Sequence, residues 1–135
     1  MNILKFPLAW RWTQSSHALL SPDVLAQLRP LSPAEAMQVH TAAAPATKSG
    51  CSCPTSDPHP EATRMWLRRV QPDLAVSVYV SWSQDLAIET TWSILTEYWD
   101  AFCYPSSDDV TVVPVTGSWR LVYHHYEQFE FYESR

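Results

Sequence analysis

Between residues 88 and 102 the large apolar side chains Ile88, Trp92, Leu95, Trp99 and Phe102 recur at steps of four, three, four and three. That spacing brings a side chain back to the same helix face at every turn, so the run predicts one continuous helix with two indoles on its buried stripe. A stripe this large needs a matching apolar surface, and the flanking segments supply it as strands. Ala75 to Trp82 alternates Val76, Val78, Val80 and Trp82 with Ala75, Ser77, Tyr79 and Ser81, the period-two pattern of a strand with one core face. Val110 to Val115 is β-branched, with Pro114 indicating an edge or a bulge. Thr116-Gly117 then marks a hairpin, Trp119 to His125 alternates as a second strand of a terminal meander, and Phe129 with Phe131 marks its third.

The N-terminal half carries helix signals. Ser21-Pro22-Asp23 supplies a capping hydroxyl, proline at the first helical position and an acid in the first turn, predicting a short helix that ends before Pro30. Ser32-Pro33-Ala34-Glu35 adds a capping box and predicts a helix to about Ala43. Pro60 opens another, Glu61 to Val70, with Met65, Trp66 and Arg69 on its apolar face. Ile3 to Thr13 reads as an irregular or edge strand with Trp10 and Trp12 on one face, and the Pro-, Ser- and Thr-rich stretch 45–60 reads as a mobile loop. The expected fold is therefore α+β: a single domain over residues 1–135, with an antiparallel sheet of about four strands packed on one side by helices.

Composition removes several functional classes. Neither Gly50 nor Gly117 has a second glycine near enough to build a Walker or dinucleotide loop, which excludes the common nucleotide folds, and no cofactor is expected. No stretch reaches the length of a membrane span. Met1 to Trp12 has too short an apolar patch for a secretory leader, so the cytoplasm is the expected compartment. Three cysteines, two of them in Cys51-Ser52-Cys53, fit reduced thiols better than a disulfide framework. Residues 1–82 carry seven Lys/Arg against five Asp/Glu, whereas residues 83–135 carry two Arg against nine acids. So acidic a C-terminal part disfavours nucleic acid and admits a basic protein partner.

Each cluster with chemical potential has a plainer structural reading. Adjacent histidines in His124-His125-Tyr126-Glu127 point to opposite faces of a strand and cannot chelate one metal side by side. Cys51 and Cys53 with Asp57 and His59 lack the spacing of a zinc knuckle. Cys103 with His124 or His125 and Asp108 has the residue types of a cysteine nucleophile, its base and its orienter, and Glu127 could replace the thiol in a metal-dependent hydrolase. Cys103, however, follows Phe102 at the end of the buried stripe, where a cysteine packs as a small hydrophobe. Asp100 with Asp108 and Asp109 lacks the loop and glycine of an EF-hand.

One stretch carries a resemblance. Ile88-Glu89-Thr90-Thr91-Trp92, the string Trp99 to Asp109 (with Phe102-Cys103-Tyr104-Pro105-Ser106-Ser107-Asp108-Asp109), and Trp119 with Tyr123-His124-His125 leading to Phe129 and Phe131 resemble a small bacterial family of unknown function. Proteins of this look resemble immunity proteins encoded beside polymorphic or contact-dependent toxins; the resemblance spans roughly the C-terminal third, with an echo at Leu25 to Leu31. It implies a non-enzymatic binding module that occludes a toxin. An acidic surface suits that role, because nuclease toxins present basic substrate clefts. The expected contact residues are Asp108, Asp109, Glu127, Glu130 and Glu133 with Trp119. Two other roles stand beside it: the small hydrolase just described, and a structural or adaptor subunit. Homodimerisation through an unpaired strand of the terminal sheet is also open.

Overall fold

A computed structural model describes residues 2–14, 19–42, 50–55 and 60–133. Among these residues the centre is one antiparallel sheet of seven strands in the order β1-β4-β3-β5-β6-β7-β2. The strands are β1 (Arg29–Pro30), β2 (Cys51–Pro54), β3 (Ser77–Ser83), β4 (Leu86–Thr91), β5 (Val110–Pro114), β6 (Trp119–His124) and β7 (Gln128–Glu133). The helices are α1 (Trp10–Thr13), α2 (Pro22–Leu25), α3 (Pro33–Ala42), α4 (Pro60–Val70), α5 (Trp92–Glu97) and α6 (Trp99–Phe102).

Seven strands replace the expected four or so, and the three additional ones have separate causes. The first of them, β1, is only two residues long, pairing Arg29 with Glu89 and Pro30 with Ile88, below the length at which any periodicity shows. Within the stretch read as a loop, β2 pairs Cys51 to Pro54 with Phe131 to Gln128; the rest of that reading, 45–49 and 56–59, lies outside the described residues. The third, β4, occupies the start of the expected long helix. Ala87 and Ile88 are both fully buried although they point to opposite faces, so the strand shows no polar alternation and Ile88 falls in step with the helical stripe by coincidence.

The helix begins instead at Trp92, where the Thr91 hydroxyl accepts from the Ile94 amide at 3.2 Å, and Tyr98 divides it into α5 and α6. All five stripe residues still reach the core. The last carbonyls of α6, which have no partner inside the helix, accept from indoles: Trp12 Nε1 bonds Ala101 O at 2.9 Å and Trp82 Nε1 bonds Phe102 O at 2.8 Å. Trp92 Nε1 likewise caps Gln71 O, just beyond α4, at 2.7 Å.

Helices lie on both faces of the sheet, not on one. Val78, Val80, Ile88, Val112, Leu121, Phe129 and Phe131 belong to the main core with α5 and α6. Leu31, Ala36, Val39 and Ala87 form a second cluster with Tyr79 and Val113, so α3 covers the opposite face over β3 and β4. The capping box that launches α3 forms as its spacing predicts: Ser32 N donates to Glu35 at 3.0 Å and Glu35 N to Ser32 Oγ at 3.2 Å. Those bonds hold the Glu35 carboxyl below its ordinary range, the Ser32 amide contributing most. The segment Ile3 to Thr13 is a 3-10 turn followed by α1, not a strand. On a helix, residues two apart point nearly opposite ways, so Trp12 is fully buried while Trp10 is exposed. For the same reason α4 buries Thr63, Trp66 and Leu67 and leaves Met65 in solvent. Among the described residues, no helix is long and apolar enough to cross a membrane.

Candidate functional site

Much of the charge asymmetry read along the chain is cancelled by folding. Cations from residues 1–82 reach acids from residues 83–135: Arg29 grips Glu89 with Nε at 3.0 Å, Arg64 and Arg68 converge on Glu97, and Arg11 clasps Asp108. The Arg11–Asp108 pair is bidentate, at 2.6 and 3.0 Å, with both side chains more than nine-tenths buried. The guanidinium lies over the Tyr104 ring at 4.0 Å, and Asp108 also accepts from the Tyr104 amide at 2.9 Å. Asp108 is thus a structural strap joining α1 to the loop before β5, and its carboxylate is not presented to solvent.

Of the acids that no arginine holds, Asp109, Glu127 and Glu130 lie in or beside the turn between β6 and β7, whereas Asp23, Asp73, Asp85, Asp100 and Glu133 are exposed elsewhere. His124 O accepts from Glu127 N at 2.9 Å to close the turn, and Glu127 sits at a φ of 65°, the left-handed region. Two anchors fix it: Thr55 N donates to Glu127 O and Ser106 N to His125 O, each at 2.8 Å. His125 donates to one oxygen of Asp109 from its backbone N and its ring Nδ1, both at 3.0 Å. The ring therefore carries a proton on Nδ1, since an ionised carboxylate can only accept. This bonding, the ring contribution first, holds the Asp109 carboxyl below the usual carboxylate range. His124 turns to the opposite face from the core, where its Nε2 meets Glu130 Oε1.

Both imidazoles rest on Tyr126. The His124 ring stacks on it at 4.9 Å and 6°, and the His125 ring meets it edge-on at 5.5 Å and 77°. Tyr126 itself is 58% exposed. The chain of contacts continues along the outer face of β7, where Tyr132 shares a hydrogen bond with Glu130 and receives Arg120 over its ring at 5.3 Å. Burial and that bond both raise the Tyr132 pKa, burial more.

The expected contact residues are therefore distributed unevenly. Asp109 bonds His125 and Glu130 bonds His124 beside Tyr126, and Glu127 follows Tyr126 in the turn. Asp108 is interior. Glu133 is exposed at the far end of β7, about 10 Å from Glu130 and about 20 Å from Glu127 at strand rise. Opposite it in register, Trp119 packs on Trp92 at 5.1 Å and Phe131 at 5.6 Å, which makes it mainly a core side chain. Sequence reasoning overlooked Tyr126, although a hairpin turn reading His-His-Tyr-Glu, without glycine, proline or asparagine, signals that its residues are kept for something other than turning.

One pairing of the hydrolase reading, Cys103 with His124, is not assembled. Cys103 lies in the core beside the inward-facing strand residues Tyr123 and Phe129, and burial pushes its thiol well up, whereas His124 faces the other side of the sheet. Cys51 and Cys53 share the core-facing side of β2, where burial raises the Cys53 pKa; Asp57 and His59 lie outside the described residues. Among the described residues no three His, Cys, Asp or Glu side chains converge as a metal site. The terminal meander does not itself end in an unpaired strand, since β6 lies between β5 and β7 and β7 pairs with β2, which is the edge of the sheet on that side.

Comparison with protein-family models, with curated proteins and with solved structures finds no match to this chain.

Proposed function

We propose that this chain is a non-enzymatic protein-binding module, an immunity protein of the cytoplasm that neutralises a cognate toxin by occluding a basic surface on it. The observation that carries the reading is the β6–β7 tip, where an exposed tyrosine packs against two histidines that each hold a carboxylate, Asp109 and Glu130, on a turn anchored from both sides and containing Glu127. Tyrosine is among the side chains that dominate protein interfaces, because it buries a large rigid area at low entropic cost and keeps a polar end. Carboxylates at the rim of such an anchor speed encounter with a basic partner and reject acidic ones. The acids that the fold has paired internally with arginine take no part. This narrows the contact set to Asp109, Tyr126, Glu127 and Glu130.

The test is affinity capture with the tagged chain from its native host, followed by titration of the captured protein against the wild type and the D109N/E127Q/E130Q variant. Wild-type binding that weakens with added salt, a variant at least ten-fold weaker with a flatter salt slope, and relief of the captured protein's toxicity on co-expression are the expected results. Equal affinity and equal salt slope for the two forms would reject the tip as the interface.

A further inference from the structure

The β2 edge of the sheet carries two thiols. Among the described residues β2 pairs with β7 alone, and Cys51 and Cys53 project from the same face of it, opposite Phe131 and Phe129. All three cysteines of the chain are unbridged. Cys51 is exposed, whereas Cys53 is half-buried against the main core beside Thr63 and Arg69 of α4. The remaining cysteine, Cys103, is 2% exposed and shut inside the core. One thiol thus meets solvent while a second stands two residues away on the same face, the arrangement in which a mixed disulfide on the first is resolved by the second.

We propose that Cys51 and Cys53 form a reversible thiol–disulfide exchange site for low-molecular-weight disulfides, and that closing their bond lifts β2 from β7. The Cys51 thiolate attacks one sulfur of the small disulfide and expels the other half as a thiolate. Cys53 then gives up its proton to water, attacks the Cys51 sulfur and expels the second half. Two cysteine thiols are oxidised to one disulfide, and one small disulfide is reduced to two thiols. Side chains two apart on an extended strand hold their Cβ atoms about 6.5–7 Å apart, whereas a disulfide holds them about 3.5–4.5 Å apart. The bond therefore closes only when β2 bends at Ser52, which takes that residue out of register with Glu130. Resistance is small, because β2 has four residues and Pro54 has no amide to donate. Strain and exposure make such a disulfide easy to reduce again. The bend reaches the β6–β7 turn, since the Thr55 amide that anchors Glu127 O follows β2 directly.

The test treats the reduced full chain with oxidised glutathione near neutral pH, quenches in acid, and maps the remaining thiols by alkylation and mass spectrometry. The expected product is two hydrogens lighter, with Cys51 joined to Cys53 and Cys103 still a thiol. A lasting glutathione adduct without an internal bond, a disulfide between two chains, or a bond that includes Cys103 would overturn the site. Hydrogen exchange on the oxidised chain reads the strand: amides of residues 51–55 and of β7 opposite them are expected to exchange about ten-fold faster or more, with β3 and β4 unchanged. Unchanged protection of β2 in the oxidised chain would overturn the lifting. Cys53→Ser, which stops at the Cys51 adduct, is expected to keep β2 protected; equal acceleration there would show that bulk and not ring closure frees the strand, and would also overturn it.

Discussion

Asp108 and Asp109 are adjacent in sequence, yet one is 7% exposed in a bidentate pair with Arg11 and the other stands in solvent beside His125. Removing one partner of a buried ion pair leaves the other charge uncompensated, so Asp108→Asn is expected to cost about 3–5 kcal/mol in urea unfolding. Asp109→Asn changes an exposed site and is expected to stay within about 0.5 kcal/mol. Similar losses for the two would contradict the burial assigned to Asp108. For Asp109 the pH dependence has a definite sign. Its folded pKa is depressed, so its contribution to stability is present above the unfolded aspartate value and is lost as pH falls through the folded one. By carbon-detected NMR, His125→Ala is expected to move the Asp109 midpoint upward, toward ordinary aspartate, with the His125 amide keeping part of the shift. Glu127 offers a third test, since a side chain in the left-handed region costs more than glycine there. Glu127→Gly is expected to stabilise the fold by about 0.5–1 kcal/mol. The same substitution is expected to weaken partner binding, a combination that an ordinary surface position would not give.

At the scale of elements, the close approach of β2 to β7 depends on Gly50. A Cβ at that position would fall 1.5 Å from the Phe131 carbonyl oxygen, which is backbone and cannot turn away. Gly50→Ala is expected to peel β2 from the sheet, read as fast hydrogen exchange at residues 51–54 and at the β7 amides facing them, while β3 and β4 remain protected. Uniform protection along β2 would contradict that packing. The sequence made strands visible where one face is wet, as in β3 and β6, and helix starts visible where a cap is local, as at Ser21 and Ser32. It hid β4, because α3 and the main core bury both faces of that strand, and it hid β1 and β2, because two to four residues carry too little pattern. The tip was half legible. Asp109, Glu127 and Glu130 stand out as acids, but their meeting depends on strand register, and the inward turn of Asp108 depends on an arginine 97 positions away.

For the whole molecule, charge read along the chain is a poor guide to charge in space. Arg11, Arg29, Arg64 and Arg68 come from the mildly basic residues 1–82 and pair with Asp108, Glu89 and Glu97 of the acidic residues 83–135. The binding proposal depends on the local grouping of Asp109, Tyr126, Glu127 and Glu130 at the β6–β7 turn more than on net charge. Hydrogen exchange on the chain alone and in complex with its captured partner tests this most directly. Slowed exchange centred on residues 124–130 and around Asp109, with α3 and α4 unchanged, is the expected result; slowing confined to α3 or α4 with the tip unaffected would contradict it.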